Sequence, residues 1–213
     1  MKYGESLFDL IYLLFGLVCG IYILKESRNK AGILMASAVL FLAGGDAFHL
    51  VPRVLNYFIE SDFSTALGLG KAVTSVTMTI FYVLLFHIWQ RAYKKKANRI
   101  VRIAVYALAA VRIILCLFPQ NGWLENESSM TWAIIRNVPF VLLGILIIML
   151  FYMKRGRISC LRRMWLLITL SFLFYIPVAV FAGIVPMLGM LMLPKTVCYM
   201  IMIYNFVQYV QRR

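Results

Sequence analysis

Runs of about 20 mostly apolar residues, separated by short polar segments, repeat along the whole chain. A helix needs about 20 such residues to cross a hydrocarbon core roughly 30 Å thick, and a helix satisfies its own backbone polar groups, as lipid requires. The pattern therefore predicts an all-α integral membrane protein, a bundle of seven transmembrane helices that form one domain over residues 1–213. The predicted spans are 4–24, 31–52, 69–92, 99–118, 131–153, 161–183 and 186–210.

The composition supports a membrane protein. Of the 213 residues, 63% are hydrophobic and 14% are charged, and the mean hydropathy is +0.86. Soluble domains carry about 25% charged residues, so these values exclude a soluble globular domain of this size. The sixth and seventh predicted spans are separated only by residues 183–186, and one long re-entrant hairpin is the alternative for this region.

Lysine and arginine are distributed unequally between the two sets of loops. Most of them lie on one side, whereas the opposite loops hold Glu60, Asp62, Glu125 and Glu127. Because loops rich in lysine and arginine stay in the cytoplasm, the pattern predicts an outer N-terminus and a cytoplasmic C-terminus in a cell membrane, the plasma membrane of a bacterium. The basic residues of the cytoplasmic side are Lys25, Arg28, Lys30, Arg91, Lys94, Lys95, Lys96, Arg99, Arg102, Lys154, Arg155, Arg157, Arg162, Arg163, Arg212 and Arg213.

The formal net charge of +14 comes mainly from these short loops. Basic loops that flank membrane spans set topology and contact anionic lipid headgroups. No aromatic and basic binding module accompanies the charge, so the sequence predicts membrane lipids as partners and no nucleic acid. The four cysteines, at 19, 116, 160 and 198, lack the spacing of a zinc site or a disulfide framework.

Eight ionisable side chains lie within the predicted spans or at their ends. A charge at bilayer depth costs about 2.5 to 3.5 kcal/mol, so such groups are usually turned inward, paired and functional. In the predicted orientation all eight fall in the outer half, and basic residues outnumber acidic ones, which predicts one outward-facing pocket for an anion. The eight residues are Asp9, Asp46, His49, Arg53, Lys71, Arg112, Arg136 and Lys195.

The densest group is in the segment GGDAFHLVPR of the second span. Asp46, His49 and Arg53 recur at positions i, i+3 and i+7, which places them on one helical face. A carboxylate one turn from an imidazole can orient it and raise its basicity, so Asp46 and His49 are the predicted catalytic pair. The alternative is an internal ion pair that fixes helix packing.

The remaining candidates are predicted to contact the ligand. Arg112 and Arg136 lie on consecutive helices and need acids or an anionic ligand, although snorkelling toward headgroups is the alternative for each alone. Lys195 follows Pro194 near the middle of the last span, where proline disturbs helix regularity. The predicted ligand-binding residues are Asp9, Arg53, Lys71, Arg112, Arg136, Asn137, Lys195 and Tyr199.

Three further features concern packing and metals. Gly44 and Gly45 allow a neighbouring helix to approach closely, and Pro52 favours an end to the second helix. The hydroxyl side chains that follow Lys71 are interpreted mainly as interhelical packing groups. Because His87 lies near the inner end of the third span, His49 has no second histidine beside it, and no metal or cofactor is predicted.

The segments GGDAFHLVPR, GKAVTSVTMTIFY, RNVPF and LMLPKT together resemble an uncharacterised family of small bacterial seven-span integral membrane proteins. The resemblance implies the seven-span fold and no activity. The pair Gly45-Asp46 is also similar to lysoplasmalogenase-like proteins, related to alkaline-ceramidase-type membrane hydrolases. This chain lacks their histidine-rich metal set, so that likeness implies no catalytic residue.

Three functions fit the pattern. In a membrane lipid hydrolase, His49 oriented by Asp46 would act as general base while cationic side chains stabilise negative charge. In a binding or sensor protein, the same groups would hold an anionic amphiphile or small anion without catalysis. In a transporter of a small solute or lipid, internal repeats are common, and no second copy of GGDAFHLVPR is present.

Overall fold

Seven α-helices account for most of the structure and confirm the predicted all-α class. The computed structural model describes residues 2–59, 61–125, 129–181 and 185–212. Short 3₁₀ turns lie at Pro119–Asn121 and Pro186–Leu191. The helices are α1 (Lys2–Glu26), α2 (Lys30–Phe58), α3 (Ser64–Ala92), α4 (Arg99–Leu117), α5 (Met130–Met153), α6 (Met164–Phe181) and α7 (Met192–Gln211).

The helices follow one another around a closed ring. Each packs against its neighbours in the chain, α1 contacts α7, and α3 also packs against α5. Seven segments are long and apolar enough to cross a membrane, and large apolar side chains such as Leu14, Ile103 and Leu173 point outward. An apolar outer surface is what lipid requires of a bundle, so the chain is a multi-pass membrane protein.

Pro52 lies inside α2, which continues to Phe58, so the expectation that the helix ends there is wrong. Proline has no N–H, and the carbonyl of Phe48, four residues earlier, therefore lacks its usual helical donor. Gly70 of α3 packs directly on this carbonyl, because a Cβ at Gly70 would collide with the Phe48 oxygen and with the His49 backbone. Close packing of α3 supports α2 at its weakest point.

The start of α7 also differs from the sequence expectation. The seventh span opens with the 3₁₀ turn Pro186–Leu191, and Pro194 is the third residue of α7. Proline is tolerated in a first turn, where its missing N–H would have no helical partner. Lys195 thus stands in the first turn of α7, and the predicted disturbance of a helix interior beside it is wrong.

The connection between α6 and α7 falls partly outside the described residues, as do Glu60, Glu127 and Arg213. The segments on its two sides are nonetheless separate spans, since Met164–Phe181 and Met187–Gln211 are each long and apolar enough to cross a membrane. The seven-helix bundle therefore describes this region, and the re-entrant hairpin does not.

On the α2–α3 connection, the Asp62 carboxylate accepts a hydrogen bond from the Ser64 backbone N–H at 2.8 Å, and this bond lowers the pKa of Asp62.

Among the described helix pairs, α2 and α3 form the most extensive interface. Gly45 faces Thr77 with no room for a Cβ, and Thr74 Oγ1 donates to the Gly45 carbonyl at 3.0 Å. These contacts confirm the packing interpretation of Gly45 and Thr74. No described atom lies within 4 Å of the Cβ position of Gly44, so Gly44 does not serve close approach.

The apolar core fills one end of the bundle more completely than the other. Toward the end of α1 and the start of α2, Phe86, Phe151 and Phe206 are fully buried, and Trp89 Nε1 donates to the Leu150 carbonyl at 2.8 Å. Short connections make successive helices antiparallel. The charged candidates therefore converge at the opposite end, where α1 begins.

Candidate functional site

A cavity of about 500 Å³ lies among α2 to α7 at the end of the bundle where α3, α5 and α7 begin. We call it the cationic cavity, because four basic side chains and His49 line it and no aspartate or glutamate is among its described lining residues. Its walls are otherwise hydroxyl, aromatic and aliphatic. The lining residues are His49, Lys71, Thr74, Ser75, Met78, Arg112, Trp123, Met130, Ala133, Arg136, Phe140, Tyr175, Val178, Ala179, Val180, Met192 and Lys195.

Arg112 is the largest fully buried side chain, with 1% of its surface exposed. Its Nη1 donates to the backbone carbonyl of Arg136 and, at 2.8 Å, to Asn137 Oδ1. Its guanidinium carbon lies 4.1 Å from the centre of the Phe140 ring. All these partners are neutral, so they orient Arg112 and leave its positive charge uncompensated.

Asn137 joins α4, α5 and α6 behind the cavity wall. Its Oδ1 accepts from Tyr175 Oη at 2.8 Å as well as from Arg112, and its Nδ2 donates to the Ala133 carbonyl at 2.8 Å. Asn137 is buried and is not among the described lining residues. Predicted as a ligand contact, it instead positions Arg112 and Tyr175, which do line the cavity.

Arg136 is held by the connection between α4 and α5. Its Nη1 donates to Asn121 Oδ1 at 2.9 Å, and its guanidinium carbon lies 4.5 Å from the Trp123 ring centre. The connection is fixed in turn, because Asn121 Nδ2 donates to the carbonyls of Leu115 and Phe118 at 2.8 Å each. Gly122 closes the turn at φ 61°, a value that glycine adopts readily.

Lys195 extends over aromatic rings. Its Nζ lies 4.8 Å from the Tyr175 ring centre and 5.5 Å from that of Tyr199. Among the described residues no carboxylate oxygen is within 4.0 Å of this Nζ. Tyr199, a predicted ligand contact, is buried beneath Lys195, and its hydroxyl is 3.4 Å from that of Tyr82.

Lys71 and His49 complete the polar wall from α3 and α2. Both line the cavity. The Nδ1 atom of His49 is buried and has no hydrogen-bond partner within the described part of the chain. A buried nitrogen without a partner is unfavourable, so a ligand that bonded it would be stabilised.

Asp46 points toward α1 rather than toward His49. Its Oδ2 accepts from Tyr12 Oη at 2.7 Å, and no hydrogen bond joins Asp46 to His49. The i, i+3 spacing puts both residues on one helical face, but the short Asp46 side chain reaches α1, whereas His49 lies against α3. The expected orientation of His49 by Asp46 is therefore absent from this structure.

Asp9 and Arg53 also lie away from the described cavity wall. Asp9 is buried on α1, and its Oδ2 has no hydrogen-bond partner among the described residues. Arg53 forms an ion pair with Glu5, which also accepts from Tyr57 Oη at 3.0 Å. Glu5 neutralises Arg53, so the three stacked ionisable groups of α2 have three different environments.

Tyr12→Phe is expected to destabilise the fold by about 1 to 3 kcal/mol, because it leaves the half-buried Asp46 carboxylate without the hydrogen bond from Tyr12 Oη. The check is the free energy of unfolding in detergent. Tyr22 to Phe is the matched control, since the Tyr22 hydroxyl accepts only an exposed bond from Gln211 and its side chain is 39% exposed. Equal stability of the two variants would contradict a structural role for the Tyr12 bond.

The seven apolar helices define the class of this chain as a multi-pass membrane protein. No family model, curated protein or solved structure matches the chain. The likeness to a bacterial seven-span family on GGDAFHLVPR and LMLPKT therefore stays a prediction, and the seven-helix architecture stands independently of it.

Proposed function

We propose that this protein binds an anionic amphiphile in the cationic cavity, with the N-terminus and the cavity on the outer side of a cell membrane. The observation that carries the proposal is the charge of the described wall: Lys71, Arg112, Arg136 and Lys195 line it, and no acidic residue does. Arg112 is fully buried at this wall, and its described partners are neutral. A cation removed from water needs an anionic partner or loses much of its hydration free energy. A phosphate or carboxylate headgroup supplies that partner.

The supports of the cations strengthen this proposal. Ring faces and neutral amides hold Arg112, Arg136 and Lys195. Such partners fix a cation in place without neutralising it. Arg112, whose described partners are all neutral, is prearranged for an anion in this way, and arginine binds phosphate and carboxylate through two parallel hydrogen bonds.

An apolar part of the same wall suits a hydrocarbon chain. Met78, Phe140, Val178 and Met192 line the cavity together with its basic residues. A volume of about 500 Å³ is within the usual range of about 300 to 1,000 Å³ for small-molecule sites. We infer that the headgroup contacts the basic side chains and that an acyl or alkyl chain lies against the apolar ones.

The loop charges favour an outer cavity. At the opposite end of the bundle the connections carry Lys94 to Lys96 and Arg162, whereas the connections near the cavity carry Asp62 and Glu125. Because basic loops stay in the cytoplasm, this difference supports an outer N-terminus and a ligand that reaches the site from the outer side or the outer leaflet.

Hydrolysis is the second candidate function. It is favoured by one observation, a buried and unpartnered His49 Nδ1 on a residue that lines the cavity. The catalytic roles of His49 and Asp46 stay predictions, because Asp46 is bonded to Tyr12. Turnover of a bound ester that His49→Gln abolishes while binding persists would establish this activity, and transport of the ligand into proteoliposomes would establish the transporter alternative.

Dodecyl phosphate is a suitable probe of binding. We expect it to quench or shift the fluorescence of Trp123, which lines the cavity, and we expect Lys195→Met and Arg136→Met each to weaken binding about tenfold, the worth of one charge-assisted hydrogen bond. Mass spectrometry of protein purified in neutral detergent would identify the natural anion.

Arg53→Gln is the matched control, because it removes a positive charge at the same end of the bundle from a residue that Glu5 already neutralises. It should leave dodecyl phosphate binding unchanged. If all three variants weakened binding equally, the effect would be general electrostatics. If the wild type neither bound the probe nor retained an anion, the proposed function would be wrong.

A further inference from the structure

A second cavity, of about 550 Å³, lies at the opposite end of the bundle between the end of α3 and the start of α4. We call it the α3–α4 groove. None of its described lining residues also lines the cationic cavity. Five of its eight described lining residues are basic and none is acidic, the five being Arg91, Lys94, Lys95, Lys96 and Arg102.

The loop that carries the three lysines is bonded to the end of α3. Lys94 N donates to the Arg91 carbonyl at 3.3 Å, and Gln90 accepts two further bonds. The Gln90 backbone carbonyl accepts from Lys95 N at 3.0 Å, and its side-chain Oε1 accepts from Ala97 N at 3.3 Å. Asn98 then caps α4 by accepting from Ile100 N at 3.4 Å. The lysines are thus presented by a folded loop, in contrast to a freely solvated basic tail.

The inner wall of the groove is polar and aromatic. His87 Nε2 and Tyr106 Oη are 3.1 Å apart and form a hydrogen bond. Tyr106 also packs edge-on against Phe86, with ring centres 6.4 Å apart. A ligand that enters between the basic side chains would meet a neutral, hydrogen-bonding wall adjoining the apolar bundle.

We infer that the α3–α4 groove is a binding site for a phosphomonoester, a group with about −1.5 to −2 charges and three acceptor oxygens. Five cations around one space repel one another, and among the described residues the single ion pair within 4.0 Å, Arg53 with Glu5, lies elsewhere. A doubly charged phosphate offsets this repulsion better than the singly charged phosphodiester of most anionic lipids. The source is a lipid with a terminal phosphate or a free phosphate.

The test compares short-chain phosphatidic acid with short-chain phosphatidylglycerol by native mass spectrometry of the full-length protein in neutral detergent. We expect the wild type to retain the phosphomonoester about tenfold more tightly than the phosphodiester. Competition by inorganic phosphate at equal concentration would identify a free phosphate as the ligand, and its failure to compete would identify a lipid headgroup.

Two variants and a control decide the inference. Lys94→Gln/Lys95→Gln/Arg102→Gln should abolish the preference, and Gln90→Met should reduce it severalfold without a change of charge. The control triple, with the same charge loss on another connection at this end, should keep it: Arg157→Gln, Arg162→Gln and Arg163→Gln.

Equal loss of the preference for the phosphomonoester in the groove triple and in the control triple would overturn the site and indicate a general electrostatic effect. Full retention of the preference in both Gln90→Met and the groove triple would also overturn the site. Lys195→Met, in the cationic cavity, should leave the preference intact. The Lys195→Met result distinguishes ligand binding in the groove from ligand binding in the cationic cavity. The inference about the groove can therefore fail while the proposed function holds, and the reverse is also possible.

Discussion

Replacement of Gly70 by alanine is expected to destabilise the bundle by about 3 kcal/mol, the upper part of the usual range for overpacking. The Cβ of alanine would collide with the Phe48 carbonyl oxygen and with the His49 backbone. Backbone atoms inside a helix cannot rotate away as a side chain can. The two helices must therefore separate, and the close contact at the carbonyl freed by Pro52 is lost.

Gly44→Ala is the matched control for this variant. Gly44 lies in α2 near the same interface, but no described atom is within 4 Å of its Cβ position, and alanine has the higher helix propensity by about 1 kcal/mol. We expect Gly44→Ala to be neutral or stabilising in thermal unfolding in detergent. Equal effects of the two variants would contradict the role assigned to the Gly70 contact.

The helices were predictable from the sequence because lipid imposes one simple constraint, a run of about 20 apolar residues per span. Their ends were less predictable. Pro52 is a strong local signal for a helix end, yet α2 continues to Phe58 because α3 packs against it. Where such a helix ends thus depends on residues that are close in space but distant in sequence.

The candidate site divides in the same way. Charges inside spans marked Lys71, Arg112, Arg136 and Lys195, and the structure places all four around one cavity. Sequence reasoning missed what holds them. Trp123, Asn121 and Phe140 are ordinary membrane-protein residues with no charge to mark them, and their role depends on contacts across helices.

Of the charged residues at this end of the bundle, the acidic ones had the contacts that were hardest to predict from the sequence. Helical spacing correctly put Asp46 and His49 on one face of α2, but it could not say which neighbouring helix each side chain would reach. Asp46 accepts a hydrogen bond from Tyr12 on α1, and Arg53 forms an ion pair with Glu5 near the start of α1. Glu5 gave no signal, because an acidic residue in the first turn of a helix is common.

Asn137→Asp is expected to weaken dodecyl phosphate binding about a hundredfold. The variant is expected to fold with a stability loss of about 1 kcal/mol, because the bond from Asn137 Nδ2 to the Ala133 carbonyl is lost. The substitution is nearly isosteric. The new carboxylate would occupy the position from which Asn137 Oδ1 accepts from Arg112 and Tyr175, both at 2.8 Å. A unit charge about 4 Å away changes an interaction by about 4 kcal/mol at an effective dielectric constant of 20, so partial neutralisation of Arg112 suffices for the expected loss.

Asn29→Asp adds the same charge at the other end of the bundle. Asn29 Oδ1 accepts from Gly32 N at 2.9 Å, and an aspartate at this N-cap position can keep that bond. This control should bind the probe normally. If Asn137→Asp left binding intact in folded protein, the uncompensated charge of Arg112 would not be what attracts the ligand. Weakened binding in Asn137→Asp protein that still folds would show that a neutral partner for Arg112 is a requirement of ligand binding, since a carboxylate bonds an arginine at least as well as an amide does.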